Sequence, residues 1–114
     1  MDEVLIKAAE LLDESDWYRA YEVVFLGEKR YLCLVSAINR SYCQSSSDDI
    51  HLGGLVHYHQ RVAKFLNLPF DENSQGYVAS IEATEALIQW NDGVAQSKEE
   101  VIKVLREAAE SSDE

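Results

Sequence analysis

The stretch Ile88-Gln89-Trp90-Asn91-Asp92, followed by Ser97-Lys98-Glu99-Glu100, decides how the C-terminal half of the chain folds. Two short polar residues directly after an aromatic one favour a turn, and they lie between two segments whose apolar residues have helical spacing. The serine and the last glutamate of the second stretch have the spacing of a capping box. The sequence therefore predicts a helix over 78–90, a corner, and a last helix over 97–109.

The N-terminal segment predicts an amphipathic helix over residues 2–14. Two acids, Asp2 and Glu3, suit the positive end of the dipole of that helix. One face of the helix is apolar and the other is charged or polar. The apolar face consists of Val4, Leu5, Ala8, Ala9, Leu11 and Leu12.

Residues 17–35 predict an antiparallel β-hairpin. The run 17–26 is dense in aromatic and β-branched residues, and Gly27-Glu28 fits the type II′ turn that joins antiparallel strands. In that register Val24 faces Tyr31. The second strand is short, because apolar residues after it follow helical spacing, and we expect a strand-to-helix change near 33–36.

The middle of the chain predicts one more helix, over 49–66, after a polar loop at 44–49. Gly53-Gly54 weakens the first turns of this helix, so that its start is displaced toward Leu55 in the alternative interpretation. A loop follows over 67–76. The predicted class is α+β: an N-terminal helix, an antiparallel β-hairpin, then three to four helices packed on it. One domain is expected over 1–110, with a frayed acidic tail over 111–114.

The charge of the chain is its main compositional feature. There are 21 acidic and 10 basic residues, which gives a net charge of −11. Residues 71–92 carry five acids and no basic residue. Such a surface repels phosphate backbones and anionic membranes, so direct nucleic-acid or membrane binding is not expected. Two interpretations remain: acidity that serves solubility alone, and an acidic face for a basic partner.

Targeting and redox features predict a cytoplasmic protein. The N-terminus runs directly into the amphipathic pattern without a signal sequence, and no window approaches the about 18 apolar residues of a membrane span. Cys33 lies in an apolar run and Cys43 in a polar one. Because no pairing pattern of a secreted framework is present, both are expected to be reduced thiols.

Three pieces of the chain together resemble a small domain family of unknown function found in actinobacteria and their phages. They are the alanine-rich first helix before Trp17, the run Cys33-Leu34-Val35-Ser36-Ala37, and Trp90-Asn91-Asp92 with the capped helix after it. Two positions depart from the family pattern, since Asp16 and Ser36 stand where glycine is usual. The resemblance implies a fold and a phage setting, and no reaction.

A cysteine nucleophile is the first catalytic hypothesis. Cys33 would attack, His57 or His59 would act as the base, and Asn91 or Asp92 would orient that base. A nearby helix N-terminus would stabilise the thiolate. The apolar neighbours of Cys33 favour the opposite interpretation, a buried thiol that packs as a small hydrophobe.

A metal site is not expected. His51, His57 and His59 with Asp48 and Asp49 are candidate ligands. Residues two positions apart on a helix are rotated by about 200° around its axis, so His57 and His59 point away from each other. No His-x-x-x-His or CxxC spacing is present. We expect neither a metal nor a cofactor.

Several exposed candidates for binding follow from residue type. Tyrosine is enriched in binding surfaces, which favours Tyr18, Tyr21 and Tyr31 on the hairpin, although tyrosine is also an ordinary strand residue. Acid pairs such as Glu82 with Glu85, or Asp71 with Glu72, are expected by chance in so acidic a chain, and general acid–base catalysis is not favoured. The predicted binding residues are Tyr18, Tyr21, Tyr31, Glu82, Glu85, Asn91 and Asp92.

The corner around Trp90 has a structural and a functional interpretation. In the favoured structural one, Trp90 seals the core while Asn91 or Asp92 caps backbone amides at the turn before Ser97. In the functional one, the two polar residues belong to a ligand or partner surface. The structural interpretation predicts that replacing either by alanine lowers the melting temperature.

Two functions are carried forward. The first is a small acidic non-enzymatic protein-interaction module that binds a host or cellular protein with a basic surface, in its sharpest version a phage-encoded inhibitor of a nucleic-acid-binding or defence protein. The alternative is a small-molecule binding or cysteine-dependent hydrolytic domain. A homodimer stays open, because an acidic helix and an uncovered strand edge serve either role.

Overall fold

The structure is a computed structural model that describes residues 3–17, 31–45, 52–71, 73 and 76–111. Within these ranges the chain is mainly α-helical. The elements in chain order are α1 (Glu3–Asp13), β1 (Asp16–Trp17), β2 (Tyr31–Leu32), α2 (Leu34–Ser45), α3 (Leu52–Phe65), α4 (Gly76–Gly93) and α5 (Lys98–Ser111).

The helix α1 lies between α5 and α2 and supplies the centre of the core. Its predicted apolar face is the buried face, which confirms the sequence pattern. The buried face of α5 consists of Val101, Ile102, Val104, Leu105, Ala108 and Ala109. Helix α2 is fixed to α1 by the Ser41 hydroxyl, which donates to the carbonyl of Val4 at 2.5 Å. Long-range packing of apolar faces therefore joins the first and last helices.

The predicted α+β class with a hairpin is wrong. Trp17 pairs with Leu32, and Asp16 with Tyr31, in a two-residue parallel ladder, whereas hairpin strands would run antiparallel. Parallel strands need a longer connection than the two-residue turn of a hairpin. The predicted turn at Gly27-Glu28 lies outside the described residues.

The strand-to-helix change predicted near 33–36 is confirmed, since β2 ends at Leu32 and α2 begins at Leu34. It also explains why the second strand is so short. Cys33 starts a helix, and its neighbours are then fixed by helical hydrogen bonds instead of a ladder. Helix formation from Leu34 onward thus ends the second strand at Leu32.

Helices α3 and α4 pack against each other and against the rest of the core. Helix α3 ends in a Schellman motif, in which Asn67 adopts a φ of 59°. The amide of Asn67 donates to Lys64 O at 3.0 Å and the amide of Leu68 to Ala63 O at 2.9 Å. This C-cap turns the chain sharply into the segment 66–71, which then runs beside α4.

Candidate functional site

Asn91 lies where three distant segments of the chain meet. Its Oδ1 accepts hydrogen bonds from Trp17 Nε1 at 2.7 Å and from the backbone amide of Leu34 at 3.1 Å. Its Nδ2 donates to Asp92 Oδ1 at 3.0 Å. The side chain is 1% exposed, so these bonds form away from bulk water. Because a buried polar group without a partner costs about 1–3 kcal/mol, Asn91 holds β1, α2 and α4 together.

The same bonds join the three pieces of sequence that carry the family resemblance. Trp17, and Leu34 near the start of the Cys33 run, both donate to the side-chain oxygen of Asn91, although they lie 74 and 57 residues before it. Trp90 is buried at 7% exposure, as the structural interpretation predicted. The resemblance therefore follows a packing junction of the fold.

The details of that junction differ from the predicted corner. Helix α4 continues to Gly93, so Asn91 lies in its last turn and not in the turn that follows. Its Oδ1 accepts a hydrogen bond from the backbone amide of Leu34, the first residue of α2, rather than from an amide before Ser97. The predicted capping box is present, because the amide of Glu100 donates to Ser97 Oγ at 3.2 Å. The Glu100 carboxylate reaches back to the amide of Gln96 at 3.0 Å.

Cys33 is half-buried at the start of α2 and serves as its N-cap. The amide of Ser36 donates to Cys33 Sγ at 3.4 Å, and the amide of Cys33 donates to Ser36 Oγ at 2.7 Å. The pair is a capping box in which sulfur takes the place of a serine oxygen. Within the described residues the thiol bonds only Ser36, and no hydrogen bond joins it to His57 or His59, the bases that the disfavoured nucleophile hypothesis required.

The two described histidines of α3 have different environments. His59 is 1% exposed, and its Nε2–H donates to Asn39 Oδ1 at 2.7 Å. Its Nδ1 has no hydrogen-bond partner among the described residues. Burial lowers the pKa of His59 to about 4, so the ring is neutral in the folded protein. His57 is exposed, and its ring meets that of Tyr58 edge-on at 5.4 Å.

Some of the predicted binding residues and of the candidates that were weighed lie outside the described ranges. They are Tyr18, Tyr21, Asp48, Asp49, His51 and Glu72. Tyr31 forms the start of β2 through its backbone. In the part of the chain that the structure describes, no three side chains of His, Cys, Asp or Glu come together as ligands for a metal ion.

The solvent side of α4 carries an apolar row. Val78 is 56% exposed, Ile81 45% and Ile88 40%. Together with exposed Glu85 they follow each other at spacings of three, four and three residues, which places them along one side of the helix. We call these four residues the outer face of α4. The opposite side is buried and includes Ala83, Leu87 and Trp90.

A groove of about 500 Å³ runs along one flank of the outer face. Leu68 and Pro69 of the segment 66–71 form one wall, and Ala86 and Trp90 of α4 lie opposite. The carboxylates of Glu82 and Glu85 line the same groove. Glu82 also holds the wall in place, because its Oε2 accepts a hydrogen bond from the amide of Asp71 at 3.1 Å. We call this the α4 groove.

The outer face of α4 is the part of the candidate site that sequence reasoning missed, although Glu82 and Glu85 were named. The signal was present in the segment 78–90, whose apolar residues occur all around the helix rather than on one stripe. Such a helix is either buried on every side or leaves apolar side chains exposed. The structure shows that α4 does the latter.

No helix among the described residues combines the length and the apolar character that crossing a membrane requires. No curated protein and no solved structure matches the chain. One family model does match, over residues 1–111, and it is that of a family of unknown function. The match covers the junction at Asn91, both Trp17 and the Cys33 run, and the whole of α4. The chain therefore belongs to the family of unknown function DUF6197.

Proposed function

We propose that this protein is a small acidic, non-enzymatic interaction module that binds a host or cellular protein with a basic surface through the outer face of α4. The observation that carries the proposal is the row of exposed aliphatic side chains at Val78, Ile81 and Ile88. Exposed aliphatic side chains that share one face of a helix and are bordered by polar groups are typical of protein-binding sites.

The charges around this row support a basic partner. Glu85 interrupts the apolar row, Glu82 lies beside it, and residues 71–92 contain no lysine or arginine. Opposite charge at the rim of an apolar contact speeds encounter and selects the partner, while burial of the aliphatic groups supplies affinity. The negative charge of this region repels nucleic acid and anionic membranes, which disfavours both as the partner.

The sharpest version of the proposal is a phage-encoded inhibitor that acts in the host cytoplasm on a nucleic-acid-binding or defence protein. Its support is the family resemblance and the chemistry of the surface. Carboxylates placed along a rigid helix can occupy a groove that evolved to hold phosphates, because both are anionic acceptors.

The test is affinity capture from host lysate with immobilised wild-type protein and two variants, followed by mass spectrometry. The first variant, Ile81→Ser with Ile88→Ser, removes two of the three aliphatic side chains of the apolar row. The second, Phe65→Ser, is a matched control, since Phe65 of α3 is also 39% exposed. We expect one basic protein that wild type and control retain, that the double variant loses, and that rising salt releases.

Capture that is the same for all three proteins would contradict the role of the outer face. Capture that depends on the outer face but is indifferent to salt would remove the inhibitor version. In that outcome the charges do not contribute to recognition, because interactions between exposed charges weaken as ionic strength rises.

A further inference from the structure

We infer that the partner reaches this surface as a cationic amphipathic helix, which packs its apolar side chains along the outer face of α4 and places a lysine or arginine in the α4 groove. The inference rests on the proposed function and adds to it the kind of element that is bound. Its parts are the geometry of the apolar row, the chemistry of the groove, and the sign of the surrounding charge.

The apolar row has the geometry of a helix–helix seam. From Val78 to Ile88 it rises about 15 Å along α4, at about 1.5 Å per residue. Spacings of three and four residues are those of a heptad seam, which a second helix covers by packing at a crossing angle of about 20°. A partner helix of about three turns would cover the row along its whole length.

The α4 groove has the composition that a long cationic side chain requires. Its walls at Leu68, Pro69 and Trp90 are apolar and match the methylene stem of a lysine or arginine. Glu85 is exposed and forms no hydrogen bond or ion pair within the described residues. Its carboxylate is therefore available to a charged group at the end of that stem. Arginine fits best, because its planar head can bond carboxylates in a fork.

The charges argue against a second copy of this chain as the occupant. A copy that packed its own α4 on this row would add another Glu85 to the same seam, and each copy carries a net charge of −11. Like charges across an interface cost free energy and slow association. A helix rich in lysine and arginine meets the same apolar row without that cost.

The probe is a synthetic helical peptide of about three heptads, with leucine at the seam positions and lysine or arginine beside them. Its control is a peptide of the same composition whose leucines are scattered around the helix. Binding is measured by titration calorimetry, and amide shifts in NMR spectra locate the contact. The protein variants are Glu85→Lys, Ile81→Ser with Ile88→Ser, and Glu99→Lys, which makes the same change of charge at an exposed position of α5.

We expect the seam peptide to bind wild type and Glu99→Lys with dissociation constants within about twofold, with shifts confined to α4 and the segment 66–71. Glu85→Lys and the double serine variant should each bind about tenfold more weakly or worse, and so should wild type with the scattered peptide. Equal binding of both peptides, or equal loss with Glu99→Lys, would overturn the inference, because attraction would then depend on net charge alone.

The two failures can be told apart. If the seam peptide does not bind while lysate capture still depends on Ile81 and Ile88, the inference is wrong and the proposed function stands. If neither depends on these residues, both are wrong. Analytical ultracentrifugation tests whether a second copy of the chain occupies the outer face. If wild type is a dimer and the double serine variant is a monomer, the face binds a second copy, and the inference is overturned.

Discussion

The two sides of α4 differ in whether their side chains are buried and hydrogen-bonded within the fold or exposed to water. On the inner side, Leu87 and Trp90 are buried, and both the oxygen and the nitrogen of the Asn91 side-chain amide have hydrogen-bond partners within the fold. On the outer side, Ile81 and Ile88 keep 45% and 40% of their surface in water. Under the proposed function, one face of this helix serves stability and the other serves recognition, and substitutions on each side should change one property without the other.

The largest effect is expected on the inner side, from Asn91→Ala. The variant removes this acceptor from the part-buried indole N–H of Trp17 and from the buried amide of Leu34, and an unsatisfied buried donor costs about 1–3 kcal/mol. We expect the free energy of unfolding to fall by about 3 kcal/mol in urea denaturation. Asp92→Ala, which removes an acceptor at a half-buried position, is the control and should cost less. If Asn91→Ala had the same free energy of unfolding as wild type, the claim that the inner side of α4 serves stability would be wrong.

A second effect concerns His59 of the neighbouring helix α3. This side chain is buried, and its Nδ1 has no hydrogen-bond partner among the described residues. Its pKa is lowered from 6.5 to about 4 in the folded state. Between these values the unfolded chain binds a proton that the folded chain does not, so stability falls as pH falls from 6.5 toward 4. The loss attributable to this group is at most about 3 kcal/mol, since one pKa unit corresponds to about 1.4 kcal/mol.

The measurement for His59 is a series of denaturation curves from pH 7 to pH 4 on wild type, His59→Gln and the exposed control His57→Gln. Carboxylates also titrate toward the acidic end, so the quantity of interest is the difference between the variants. We expect His59→Gln to flatten the pH dependence and His57→Gln to retain it. Parallel curves for all three proteins would contradict the assignment.

A smaller effect is expected from Trp17→Phe. This change removes one donor to Asn91 but leaves the acceptor engaged with the amide of Leu34, so the cost from the hydrogen bond is about 1 kcal/mol. A double-mutant cycle with Asn91→Ala sharpens the comparison. If the two residues act through their bond, the double variant should be less destabilised than the sum of the single ones, and strict additivity would show that they act separately.

The smallest effect on stability is expected on the outer face. Ile81→Ser with Ile88→Ser should leave the free energy of unfolding within about 0.5 kcal/mol of wild type, because the positions are exposed and the two residue types have similar helix propensity. The same variant should lose partner binding. A large loss of stability would mean that the outer face also belongs to the core, and the division between the faces would fail.

The helical part of the fold could be predicted from the sequence because its signals are local. The apolar spacing of α1 and α5 appears directly in the chain, and the capping box at Ser97 marks where α5 begins. The β-hairpin failed for the opposite reason. Residues 17–26 have strand composition, but what Trp17 pairs with is decided by the distant contacts of Asn91 and by the helix that starts at Leu34.

The candidate site could be predicted only in part for the same reason. Trp90 and Asn91 attracted attention as a corner, yet the identity of their partners depends on how remote segments pack. Cysteine is not among the usual N-cap residue types, so the capping role of Cys33 with Ser36 could not be recognised from the sequence. Exposure of Ile81 and Ile88 is a property of the assembled fold, because the same apolar pattern would suit a helix buried on all sides.

The pairing of α1 with α5 has a consequence for the order in which the chain folds during synthesis. Helix α1 is made first, but its main packing partner begins only at Lys98. A nascent chain that has not reached that point carries α1 without the helix that covers one of its sides. We expect such shorter chains to expose apolar surface that chaperones can bind, and the native core to close only after α5 has left the exit tunnel.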